Sequence, residues 1–169
     1  MPKPDLQRVP AHYHNYINLV PHNNLKEAFI IHQVELYNFL KGLPDEKWSY
    51  RYAEGKWSIK EMVQHIIDTE RIFAYRALCI ARGEEAPLPG FDENSYAAAS
   101  KADKREKEHL LEELKAVQTS TTLLFQSFDD EQLSTTGNAN GKPIDVDAIG
   151  FIAVGHVLHH KKILQERYL

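Results

Sequence analysis

The sequence predicts an all-α protein, a four-helix bundle spanning residues 1–169 as a single domain. Three observations point there. Four long segments carry apolar residues at alternating spacings of three and four, the period of an α-helix with one buried face. Start and stop signals for helices bracket several of these segments. No stretch reads as a convincing pair of strands, although "NANGKPI" suits a short turn. A chain of 169 residues is long enough to bury one sizeable core.

The first segment runs from about Leu25 to Leu40, with Asn24 as cap, Glu27 three residues on, and Gly42 and Pro44 as the stop. The second runs from Ile59 to Arg82. Here "WSIKEM" places Ser58 at the N-cap and Glu61 at the third helical position, a capping box, with Trp57 set to staple onto Met62. Arg82 and Gly83 close it. The third runs from about Asp103 to Phe128, and its charged opening "KADKREKEH" reads as a solvated first turn or two. The fourth runs from Val146 to Tyr168 behind a cap at Asp145. Long connections rich in Pro, Gly and aromatic residues join the first helix to the second and the second to the third. Residues 1–22 are expected to pack across the bundle.

Composition narrows the function. A net charge of −4 with neutral histidines disfavours a general nucleic-acid binder. The lone cysteine, Cys79, rules out an internal disulfide and reads as an inert thiol in an apolar helix. The N-terminus lacks the apolar core of a signal peptide, and no apolar run is long enough to span a bilayer. A cytoplasmic protein with no membrane partner is the expectation.

The chemistry gathers on histidines. Near the end the chain reads "GHVLHH". A helix turns about 100° per residue, so His156 and His160 share a face while His159 points about 100° away from His160. Ile149, Ile152, Ala153, Ile163 and Leu164 define the inward stripe, and the pair extends it. On the second long segment, His65 lies on the same broad face as Met62, Ile66, Thr69 and Phe73. Two packed histidines are the ordinary meaning of such a pair. A third inward histidine on a facing helix is what a metal site requires, and the residues alone leave both meanings open. Three neutral nitrogen donors suit Zn²⁺, Ni²⁺, Fe²⁺ or Cu²⁺ and leave coordination positions free for water or a thiol. His12, His14, His22, His32 and His109 read as surface or ordinary packing, and Asp68 as a helix-surface carboxylate.

Three stretches in order, "KWSIKEMVQH", "PLPGFDE" and "GHVLHH", resemble the DinB superfamily and, within it, the YfiT-like group. The resemblance covers roughly residues 20–169. It implies an up-down-down-up topology, a homodimer, and one divalent metal ion (Ni, Zn or Fe) on His65, His156 and His160. Many relatives are labelled metal-dependent hydrolases, and others carry out chemistry on small-molecule thiols. The resemblance therefore implies a low-molecular-weight-thiol transferase acting on an electrophilic substrate. The alternatives are a hydrolase using metal-bound water, or a non-catalytic metal-binding bundle linked to stress. The loops "YRYAEGK" and "PLPGFDENSY" would wall the pocket, with Tyr50, Phe91 and Asp92 as candidates. Relatives often carry an arginine on the third long helix, where this chain has Gln118.

Overall fold

The computed structural model describes residues 3–169. The first two long helices begin where the sequence supplies a side-chain cap. Helix α1 spans His14–Leu19. Helix α2, Leu25–Lys41, starts at Asn24, whose side chain accepts from the Glu27 amide at 3.2 Å. Helix α3, Ile59–Ala81, starts on the expected capping box between Ser58 and Glu61. The chain then forms α4 (Glu93–Ser100), α5 (Lys107–Ser127) and a single turn, α6 (Asp130–Ser134). Strands β1 (Thr136–Ala139) and β2 (Lys142–Asp145) lead into α7, Val146–Ile163. A π turn, Leu164–Tyr168, continues α7.

Helices α2, α3, α5 and α7 make the bundle, and side-chain contacts fix its order. Lys26 reaches the carbonyl of Gln126 and Gln33 that of Gln118, so α2 and α5 run in opposite directions. Ser58 meets Asp103 and Arg71 meets Glu113, so α3 runs parallel to the segment that leads through α5. Leu25 lies against Gly150 and Glu35 against Lys161, which makes α2 and α7 parallel. Trp57 meets Tyr168 and His65 meets His156, which makes α3 and α7 antiparallel. The order is therefore up-down-down-up, with α2 and α3 diagonal to one another.

Four local expectations need correction. The residues from Thr136 to Asp145 do form a hairpin, whose turn is Asn140–Gly141 with φ of 53° and 73°. Asn-Gly is a strong signal for that turn because both positions need positive φ. The stretch expected as loop between the second and third long helices contains α4, capped by Asp92 through the Ser95 amide at 2.7 Å. The third long helix begins at Lys107 rather than Asp103. Its charged prelude is a clamp: Asp103 takes Ser58 Oγ at 2.6 Å and pairs with Arg51, while Lys60 donates to the Arg105 carbonyl at 2.6 Å. Finally, Asp145 occupies the N-cap of α7 without bonding the helix, because its carboxylate is held by Thr136 and by Arg8 at 2.9 Å.

Helix α7 is buried at every position from Ala148 to Val157. A helix apolar on all sides must be covered on all sides. Helices α2 and α3 cover its inner faces, and α1 covers the outer one. Gly155 makes that crossing possible: a Cβ there would lie 2.1 Å from the Tyr16 carbonyl oxygen. The first residues of α7 join Phe29, Phe73, Phe125 and Phe128 in one core cluster. Val157 joins a second cluster at the other end, with Leu36, Trp48, Ile66 and Leu110. Among the described residues no helix is long and apolar enough to cross a membrane.

Candidate metal centre

The antiparallel packing of α3 on α7 places three imidazoles between the two core clusters. His65 Nε2 lies 3.0 Å from His156 Nε2, and His160 Nε2 lies 3.0 Å from that same atom. All three side chains are buried, and the three donor atoms lie within 4.8 Å of one another. Burial pushes His65 down to about 4. It holds His156 and His160 well below the usual histidine value, and their mutual proximity adds to this. At neutral pH the three rings are therefore uncharged, and each Nε2 that carries no proton presents a lone pair.

The donor set can be tested against a metal. Hydrogen bonding alone serves this cluster poorly, since a neutral imidazole has one donor and one acceptor nitrogen and three Nε2 atoms converge here. Metal–nitrogen bonds of about 2.0–2.1 Å set ligand nitrogens about 3 Å apart. The two separations at His156 match that spacing. The far side of His65 is also suited: Nδ1 lies 3.4 Å from Thr69 Oγ1, one turn along α3, and a ring donating from Nδ1 to that oxygen leaves Nε2 bare. The residues present fit a divalent ion.

One side of the cluster opens into a cavity of about 210 Å³. Trp57 stacks against His65 with ring centroids 4.8 Å apart, Phe73 meets His156 edge-on at 5.9 Å, and Tyr16 meets His156 at 5.7 Å. Phe91, Glu93 and Arg76 complete the wall. A second cavity of about 230 Å³ lies on the other side of Trp57 and His160 and is lined by Tyr52, Lys56 and Tyr168. Both expected loops thus contribute. Of the three suggested wall residues only Phe91 lines the cavity. Tyr50 meets Tyr168 edge-on, and Asp92 caps α4.

His159 stands outside the cluster, packed edge-on against Tyr16 at 5.3 Å. His12 and His109 are exposed, and His14 bonds the Val9 carbonyl. Asp68 accepts from Gln64 at 2.9 Å and takes no part in the site. Cys79 is half-buried against the core and does not line the cavity. His32 is packed inside the bundle, buried with its Nε2 unpartnered. It borders a second polar group, Glu70 and Gln118, of which the sequence singled out Gln118 but not Glu70.

Comparison with known proteins gives this geometry a context. The family model of the DinB superfamily matches residues 28–164. The chain belongs to the DinB superfamily. A protein of Oceanobacillus iheyensis described as a candidate metal-dependent hydrolase is 37% identical over 71 residues, spanning 38% of this chain and 40% of that protein. The chain thus matches less than half the length of that relative. Among solved structures, YfiT from Bacillus subtilis superposes with a TM-score of 0.69 at 17% identity, over 96% of this chain and 91% of YfiT. It is described as a candidate metal-dependent hydrolase with an unusual four-helix-bundle topology. A mycothiol-dependent maleylpyruvate isomerase superposes with a TM-score of 0.67 at 11% identity, over 94% of this chain and 62% of the isomerase. At these identities the likeness to the two structures concerns the fold.

Proposed function

We propose that this DinB-superfamily protein is a metal-dependent enzyme that transfers a low-molecular-weight thiol to an electrophilic small molecule. In this reading one divalent ion is held by His65, His156 and His160. The observation that carries it is the convergence of three buried, neutral imidazole nitrogens on one wall of a cavity. Three nitrogen ligands without a carboxylate leave the ion its full charge and free positions, the arrangement of a reactive rather than a structural centre. When bound, such an ion supplies Lewis acidity, lowering the pKa of a coordinated thiol or water toward neutrality.

The rest of the work falls to the chain. The depressed basicity of the three rings keeps their lone pairs available at neutral pH. Thr69 orients His65. Trp57, Phe73 and Tyr16 wall the site with aromatic surface and limit water around a reacting thiol. The names of relatives bear on the choice, since one is a candidate hydrolase and one depends on mycothiol. Zinc, nickel and iron all suit the donor set, and a homodimer accords with the family resemblance.

The test uses protein purified without a histidine tag. Incubation with monochlorobimane and a panel of thiols is expected to give conjugation that needs the metal and is lost in His160→Ala. Ester or amide turnover independent of thiol would replace transfer with hydrolysis. Metal binding that raises thermal stability without either activity would leave a non-catalytic binding bundle.

A further inference from the structure

Arg76 is set apart from the other arginines of the chain. Arg8, Arg51, Arg71 and Arg105 are each partly exposed and each holds a carboxylate, and Arg82 and Arg167 are exposed to solvent. Arg76 is 4% exposed, and no ion pair among the described residues includes it. Its Nη2 donates to the Pro89 carbonyl at 2.6 Å, while its Nε is buried without a partner. A buried charge with no counter-ion is costly, and proteins keep one where something else completes it.

Its place says what completes it. Arg76 lies on α3 three turns beyond His65, on the wall of the same cavity. The guanidinium is held from behind. Leu88 exchanges backbone hydrogen bonds with Asn138 and Asn140 of the hairpin, both at 2.9 Å, and this fixes Pro89, which in turn fixes Nη2. Glu93 is the one carboxylate lining the cavity, and it sits exposed on α4, outside ion-pair distance of Arg76. A rigid planar fork with free N–H groups on a concave aromatic wall is shaped for a carboxylate.

We propose that Arg76 is an anion-recognition residue, and that the compound bound beside the three histidines carries a carboxylate which Arg76 receives. The proposal rests on the thiol-transfer reading only for what else that compound contacts. Arg76 is the one lysine or arginine that lines this cavity.

The experiment compares 3-mercaptopropionate with its methyl ester, which has the same thiol and no charge. Nickel-loaded wild type, Arg76→Gln and Arg76→Lys are titrated, with metal-free wild type alongside. The thiolate-to-nickel absorption band reports the metal–sulfur bond, and calorimetry reports affinity. A charge-assisted contact predicts that Arg76→Gln weakens the acid about 10- to 100-fold and leaves the ester unchanged. Arg76→Lys, which keeps the charge but loses the fork, is expected to fall between and serves if Arg76→Gln does not fold. A band with both probes, but the same acid-to-ester ratio in all three proteins, overturns the role of Arg76 and leaves thiol binding standing. No band with either probe, but acid binding that depends on Arg76, overturns thiol binding and leaves Arg76 standing. No binding of either probe by either readout overturns both.

Discussion

At the scale of single residues, the fold separates histidines that look alike in sequence. His156, His159 and His160 lie within five positions, yet only the outer two face His65. His159→Ala is expected to retain wild-type metal content by elemental analysis, whereas His156→Ala or His160→Ala loses most of it. The clustering of the three histidines was legible because each member lies on a helix whose apolar stripe declares its inward face. Glu70 and Arg76 were not legible. Each sits on the long helix α3 as an ordinary charged residue would, and only the packing of α2, α5 and the loop at Pro89 shows it buried. Glu70 gives a second residue-level prediction. Burial pushes it up to about 7 from an ordinary 4.5, against Thr121 and Gln118 on α5, with His32 on α2 nearby. Between these pH values the folded chain holds a proton that the unfolded chain releases, so this group's contribution to stability falls as pH rises. Glu70→Gln cannot lose that proton. Its melting temperature should match wild type near pH 4 and exceed it by several degrees near pH 8, a difference on the order of 3 kcal/mol. Equal melting temperatures at both pH values would show that Glu70 ionises freely.

At the scale of elements, the crossing of α1 over α7 shapes the cavity, because α1 supplies Tyr16 to its wall. Gly155→Ala forces a Cβ into the Tyr16 backbone. Overpacking of this kind costs about 1–3 kcal/mol. The expected result is a lower melting temperature together with faster proteolysis near residues 10–20. A lowered melting temperature with α1 still protected would place the strain elsewhere. The four long helices were readable from their caps and periodicity, down to the capping box of Ser58 and Glu61. The hairpin was harder. Its strands are four residues each and mostly polar, and β2 contains Pro143, so neither shows an alternating pattern even though Asn140–Gly141 names the turn. Helix α4 hid inside a stretch whose prolines and glycines read as loop, although Asp92 and three successive alanines signal a short helix.

At the scale of the whole molecule, the diagonal arrangement of α2 and α3 determines what can meet. Periodicity finds inward faces but not which faces oppose one another, so the up-down-down-up order follows from contacts such as Ser58 with Asp103 and Glu35 with Lys161. That order sets the parallel pairs side by side and lets α3 and α7 bring their histidines together in antiparallel register. Burying so many imidazoles has a consequence for the metal-free protein. Burial lowers His32, His65, His156, His159 and His160 relative to the ordinary value of 6.5. A group with a depressed folded pKa contributes stability above its unfolded value and loses it as pH falls through the folded one. The metal-free protein should therefore melt at progressively lower temperature as pH drops from 6.5 toward 4, and bound metal should raise the melting temperature most at neutral pH. A melting temperature independent of pH over that window would mean the imidazoles titrate freely.

The most direct test of the metal centre is elemental analysis of tag-free protein beside its His65→Ala variant, both confirmed as folded by circular dichroism. The expected result is about one divalent ion per chain in the wild type and little in the variant. Equal metal content in the two proteins would contradict it.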